Sequence, residues 1–147
     1  MISYALNSER ETEDFGFRLA GRIPEGSVLA LYGQLGSGKT VLARGFIRGL
    51  GYEGHITSPT YTIVNEYPAG QMGMKVSAAH FDLYRINNEQ DLQSTGFYDY
   101  LSYGWTMILE WCDRIPWAVE PSFIRLCLDR AKQEQERILR MEKELPC

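Results

Sequence analysis

Residues 33–40 read Gly33-Gln34-Leu35-Gly36-Ser37-Gly38-Lys39-Thr40. This is the complete G-x-x-x-x-G-K-[ST] pattern of a phosphate-binding loop, and it restricts the fold to a few arrangements. The glycines let the backbone wrap closely, so that main-chain N–H groups can converge on an anion. Lys39 supplies a cation for the outer phosphates, and Thr40 supplies a hydroxyl for Mg²⁺. Such a loop works between a buried strand and a helix N-terminus, where unpaired amides and the helix dipole favour negative charge. Both neighbours are present. Ser27-Val28-Leu29-Ala30-Leu31-Tyr32 is a short apolar run that reads as a buried strand, and Val41, Leu42, Phe46, Ile47 and Leu50 fall at helical spacing before Gly51.

The remaining elements follow from local signals. Residues 2–6 read as a short strand. Ser8-Glu9-Arg10-Glu11 is a capping box, and Phe15, Leu19 and Ile23 follow at i, i+4 and i+8, predicting a helix from about 9 to 22. Thr60 to Tyr67 is rich in β-branched and aromatic residues and predicts a strand, as does Met74 to Phe81. Asn87 to Gln93 reads as helix, ended by Gly96, and the aromatic residues Phe97, Tyr98, Tyr100 and Tyr103 read as packing. Trp105 to Leu109 is a second buried strand, and Phe123 to Asp129 alternates as a half-buried one. Lys132 to Glu144 has helix-forming composition with few apolar residues, so helix and hairpin strand both remain open there. Strands alternating with helices predict an α/β fold: a three-layer, P-loop NTPase-like domain with a largely parallel central sheet, spanning 1–147.

With 147 residues the chain is long enough for one domain with a real core. A net charge of −4 argues against a basic nucleic-acid-binding face, so any nucleic acid is expected to be held by a partner. No apolar run approaches a membrane span, and the first residues lack the basic and apolar parts of a signal peptide. Cys112, Cys127 and Cys147 form no metal or disulfide pattern and read as thiols of a reducing cytoplasm. His55 and His80 are too few and too far apart for a zinc site.

A phosphate loop alone binds; hydrolysis or transfer also needs acids to hold Mg²⁺ and to orient the attacking group. In open α/β sheets ligands bind at the carboxyl ends of strands. Asp82 closes the Met74–Phe81 strand and Glu110 closes the Trp105–Leu109 strand, so these are the candidate acids. Ser58-Pro59-Thr60 is a candidate switch-like loop, although Ser-Pro is also an ordinary turn signal. Trp111 follows Glu110, and strict alternation would turn it to the opposite face as packing. No Asn-Lys-x-Asp segment is present to read guanine, which tilts the base toward adenine.

These segments, in this order, resemble the TsaE (YjeE) family of small bacterial P-loop ATPases. The matching residues are Leu31 to Thr40, Ser58-Pro59-Thr60-Tyr61-Thr62, His80-Phe81-Asp82-Leu83-Tyr84-Arg85 and Leu109-Glu110-Trp111. The resemblance implies ATP lying on Gly33, Gly36, Ser37, Gly38, Lys39, Thr40 and Val41, with Glu9 and Thr12 bordering the adenine. It implies Mg²⁺ on Thr40 and Glu110, Asp82 near the γ-phosphate, Ser58 to Thr60 as a switch, and Trp111 as a functional aromatic. It also implies TsaD and TsaB as partners, with tRNA reached through them, in threonylcarbamoylation of the adenosine next to the anticodon. Gln34 and Cys112 depart from the family's usual residues, and the region beyond Glu120 matches poorly. The family's habit favours a C-terminal strand hairpin over the helix that composition suggests. Two other readings compete. A small-molecule kinase would need an arginine-bearing lid, for which only Arg125, Arg130, Arg137 and Arg140 are available. A nucleotide-dependent interaction module would hydrolyse ATP only incidentally.

Overall fold

The computed structural model describes residues 2–141. Glu142 to Cys147, including the end of the segment read as helix or hairpin and the thiol of Cys147, lie outside the described residues.

Strand β2 (Val28–Tyr32) sets the layering. Its side chains alternate between two separate hydrophobic clusters. Leu29 and Leu31 face one cluster together with Leu42, Phe46 and Leu19; Val28 and Ala30 face the other with Phe81, Leu92, Phe97 and Met107. Helices α1 (Glu9–Ala20) and α2 (Lys39–Gly49) cover the first face. Helices α3 (Glu89–Ser94) and α4 (Phe97–Ser102) cover the second. The sheet also contains β1 (Ile2–Leu6), β3 (Val64–Tyr67), β4 (Ala78–Asp82), β5 (Thr106–Glu110), β6 (Ile124–Arg130) and β7 (Arg137–Met141). Its order is β1-β7-β6-β2-β5-β4-β3. The centre, β6-β2-β5-β4, is parallel, and the outer pairings β1–β7, β7–β6 and β4–β3 are antiparallel. Every residue of β4 and β5 is buried, as expected of parallel strands covered on both faces.

Helices α1 and α2 pack at very short range because glycine lines their contact. A Cβ built on Gly45 would stand 1.9 Å from the Glu13 carbonyl oxygen, and one on Gly16 would stand 2.2 Å from the Leu42 carbonyl oxygen. The start of α1 is fixed locally. Ser8 Oγ accepts the Glu11 N–H at 3.1 Å, and the Glu11 carboxylate accepts the Asn7 N–H.

Three elements differ from expectation. The strand expected from Thr60 begins only at Val64. Ile63 adopts φ +70°, and side-chain bonds (Asn65 Nδ2 to the Thr57 carbonyl at 3.0 Å, Thr62 Oγ1 to Asn65 Oδ1 at 2.8 Å) hold residues 57–62 as a loop. The strand expected from Met74 begins at Ala78, because Met72 and Gly73 take positive φ and Met74 closes a turn onto the Gln71 carbonyl. Residues 97–102 form the helix α4, which packs Phe97, Tyr98 and Tyr100 on the second cluster as expected and leaves Tyr103 exposed. At the other end, the hairpin prevails over helical composition. Strand β7 has partners on both edges, β1 and β6, and buries Leu139 and Met141 at a spacing of two.

Candidate functional site at the carboxyl edge of the sheet

In the parallel register Leu31 lies opposite Glu110, and Asp82 lies opposite Glu110 on the other side. The phosphate loop leaves β2 beside these positions, so the topology brings the two strand-end acids to the loop. They border one cavity of about 530 Å³. It is lined by the loop from Leu35 to Val41, by the acids Asp82 and Glu110, by Glu9 and Thr12 of α1, by Thr60 from the loop before β3, and by Tyr84 and Arg85 just after β4. Gly33 and Ser58 are one step removed. The Gly33 carbonyl holds the Lys39 ammonium, and Ser58 Oγ lies 2.7 Å from the Thr60 hydroxyl.

The loop takes the shape its glycines permit. Gly33 and Gly38 have φ of +149° and +104°, and a Cβ on Gly33 would meet Ser37 Oγ at 2.5 Å. Lys39 is buried. Its Nζ donates to the carbonyls of Gly33 and, at 3.0 Å, Gln34, and stands 3.9 Å from the centre of the Trp111 ring. Burial holds the ammonium below its ordinary pKa, against the raising effect of Glu110, Asp113 and Asp82.

Thr40 Oγ1 donates to Glu110 Oε1 at 2.8 Å. The other oxygen, Oε2, accepts from His80 Nε2 at 2.6 Å. A carboxylate only accepts, so Nε2 carries the proton of this contact; Nδ1 has no hydrogen-bond partner among the described residues. Asp82 Oδ1 accepts the Tyr84 N–H at 3.1 Å. Its carboxyl is raised above the ordinary value, chiefly by burial; the Tyr84 N–H works against this and the nearby Glu110 adds to it. Among the described residues no group of three His, Cys, Asp or Glu could hold a metal unaided. The Thr40 hydroxyl and the Glu110 carboxylate are instead two hard oxygens, which suits Mg²⁺, an ion that completes its shell with water and phosphate oxygens.

Trp111 departs from the strand alternation assumed for it. It has already left β5, with φ +64° and ψ +44°, and opens the 3-10 turn Cys112–Arg114. That left-handed residue swings the indole back over Lys39 and against Tyr84, with ring centres 4.9 Å apart.

Three residues were given no role in this site by the sequence reading. His80 could have been found, since it stands two positions before Asp82 on a strand and so shares its face. Gln135 and Arg137 border the cavity from the β6–β7 hairpin. The sequence offers the C-terminal arginines only as a candidate kinase lid. Arg140 does pair with Asp129 near the surface, but Arg137 reaches the phosphate loop.

The profile described as "Threonylcarbamoyl adenosine biosynthesis protein TsaE" matches residues 6–139. The chain belongs to the TsaE family. The tRNA threonylcarbamoyladenosine biosynthesis protein TsaE of Synechocystis sp. is 42% identical over 123 residues, covering 78% of this chain and 73% of that protein. The TsaE of Bacillus subtilis is 30% identical over 137 residues, covering 93% of this chain and 83% of its own. The crystal structure of Bacillus subtilis YdiB superposes with a TM-score of 0.75 at 26% identity, over 95% of this chain and 83% of that one. The family match includes the phosphate loop, both strand-end acids and the hairpin as far as Leu139. None of the helices among the described residues is long and apolar enough to cross a membrane.

Proposed function

We propose that this TsaE-family chain is a Mg²⁺-dependent ATPase. In this reading it serves the machinery that installs threonylcarbamoyl on the adenosine next to the tRNA anticodon, acting on a TsaB–TsaD complex in the cytoplasm. The observation that carries the reading is the convergence of Lys39, Thr40, Asp82 and Glu110 on one cavity floored by the phosphate loop.

The chemistry follows from these groups. The amides of Gly36 to Val41 cradle the phosphate chain of ATP at the start of α2, where the helix dipole adds to the attraction. Lys39 leaves its carbonyl partners for the outer phosphates, a move favoured because burial already disfavours an uncompensated ammonium. Thr40 and Glu110 hold Mg²⁺, which neutralises charge on the phosphate oxygens. His80 keeps Glu110 pointed at Thr40. Asp82, held by Tyr84 and Thr60, orients the attacking water and accepts its proton, a task suited to a carboxyl whose pKa is raised. Glu9 and Thr12 border the base. Against the kinase reading, two of its four candidate lid arginines are engaged within the fold, Arg137 on backbone carbonyls and Arg140 on Asp129.

The test is reconstitution with TsaB, TsaD and tRNA. Lys39→Ala and Glu110→Gln should each abolish ATP turnover and support of the modification, while Arg140→Gln should retain both. Full support of the modification by Lys39→Ala and Glu110→Gln would sink the proposal.

A further inference from the structure

Arg137 occupies an unusual position for a surface-hairpin residue. Its Nε donates to the Ser37 carbonyl at 2.8 Å, and its Nη2 donates to the Gly36 carbonyl at 2.9 Å. Its Nη1 donates to the Glu134 carbonyl at 2.6 Å and the Glu136 carbonyl at 2.8 Å. All four acceptors are main-chain oxygens, and among the described residues the guanidinium meets no carboxylate. One edge of the fork therefore grips two successive carbonyls of the phosphate loop, and Nη1 is bound into the β6–β7 turn.

We infer that Arg137 is a positioning residue for nucleotide binding, a clamp that fixes two peptide planes of the phosphate loop from the C-terminal hairpin. This rests on the ATPase reading above. The physical argument is planarity. The Gly36 carbonyl shares a rigid plane with the Ser37 N–H, and the Ser37 carbonyl shares one with the Gly38 N–H. Holding both oxygens on the Arg137 side turns both N–H groups to the other side. The Ser37 N–H closes the loop's own turn onto the Gln34 carbonyl at 3.0 Å, and the Gly38 N–H is left in a fixed direction at the start of α2. A cation on the carbonyl oxygen also polarises the amide and makes its N–H a better donor.

Glycines at 36 and 38 make the loop pliable, so an external hold has work to do. Both have positive φ, and a Cβ on Gly36 would fall 2.2 Å from Arg130 Nη2, so the hairpin packs directly on the loop. Lysine could keep the charge at 137 but could not present two donors in a planar fork.

The test compares wild type, Arg137→Lys, Arg137→Gln and Arg140→Gln by ADP and ATP titration with Mg²⁺, thermal melting and amide hydrogen exchange of the loop peptide. Both Arg137 variants are expected to bind either nucleotide about tenfold more weakly, the effect of losing a charge-assisted hydrogen-bond pair. Exchange at residues 36–39 should accelerate, while Arg140→Gln matches wild type. Rescue by Arg137→Lys would reduce the residue to a point charge and overturn the clamp. Unchanged binding with a lowered melting temperature, or failure of both Arg137 variants to fold, would make it a fold residue and also overturn the clamp. A wild type that binds no nucleotide would overturn the ATPase reading together with this inference. A wild type that binds, with variants that bind equally well, would overturn this inference alone.

Discussion

The Lys39 ammonium stands 3.9 Å from the centre of the Trp111 ring, a contact made because Trp111 leaves β5 in a left-handed conformation. The ring's negative face offers the buried cation partial compensation. Replacing the ring by another aromatic should keep most of this, whereas an aliphatic residue should not. We expect Trp111→Phe to lower kcat/KM for ATP by about threefold and Trp111→Leu by tenfold or more, in line with a cation–π contact of about 0.5–2 kcal/mol. Equal activity of the two variants would show that the indole serves only as packing.

His80 and Glu110 meet at 2.6 Å, a contact between two buried side chains. Truncating His80 to Ala leaves a buried carboxylate oxygen without its donor, which should cost about 1–3 kcal/mol of stability. His80→Asn can still donate an N–H and should recover part of it. The apparent Mg²⁺ requirement should rise in both variants, because Glu110 loses the restraint that turns it toward Thr40. Chemical denaturation and Mg²⁺ titration of turnover read the two effects separately.

Asp82 sets stability against activity. Its carboxyl is raised by burial, so the folded chain keeps that proton to higher pH than the unfolded chain does. Raising pH from the ordinary carboxylate value through the raised one therefore costs stability, and the cost persists at neutral pH. Asp82→Asn removes it while keeping an acceptor for the Tyr84 N–H. The variant should melt at a higher temperature than wild type at pH 7 and lose the acid-side gain, while turnover falls about a hundredfold. Melting curves across the acidic range check the sign.

Gly45→Ala should be among the most damaging small substitutions. The added methyl group would meet the Glu13 backbone, which cannot rotate away, so α1 must shift as a whole. A loss of about 1–3 kcal/mol follows from overpacking. Because Glu9 and Thr12 ride on α1, ATP affinity should fall with it, whereas Gly70→Ala, where nothing lies within 4 Å, should leave affinity unchanged.

The legible parts of the molecule were those whose chemistry is local in sequence. The phosphate loop carries its own spacing, and the buried runs ending at Asp82 and Glu110 told of strands entering one carboxyl edge. The capping box at Ser8 gave the start of α1. Hidden features depended on partners far away in the chain. Strand β7 has helical composition and is a strand only because β1 and β6 flank it. Arg137 reads as one of four candidate lid arginines until the sheet order sets β7 beside β6. Trp111 misled through a single backbone angle, and residues 57–62 through side-chain bonds that outweigh their β-propensity.

The pairing of β1 with β7 matches Ile2 to Met141 and Leu6 to Arg137. A chain emerging from the ribosome therefore has its phosphate loop and both acids long before β1 has anything to dock against. Until residue 137 appears, the loop lacks its carbonyl clamp, and β1 has no neighbour, although α1 can already pack on α2. Such long-range closure folds late. Full affinity for a nucleotide should thus arise only once β7 has docked between β1 and β6.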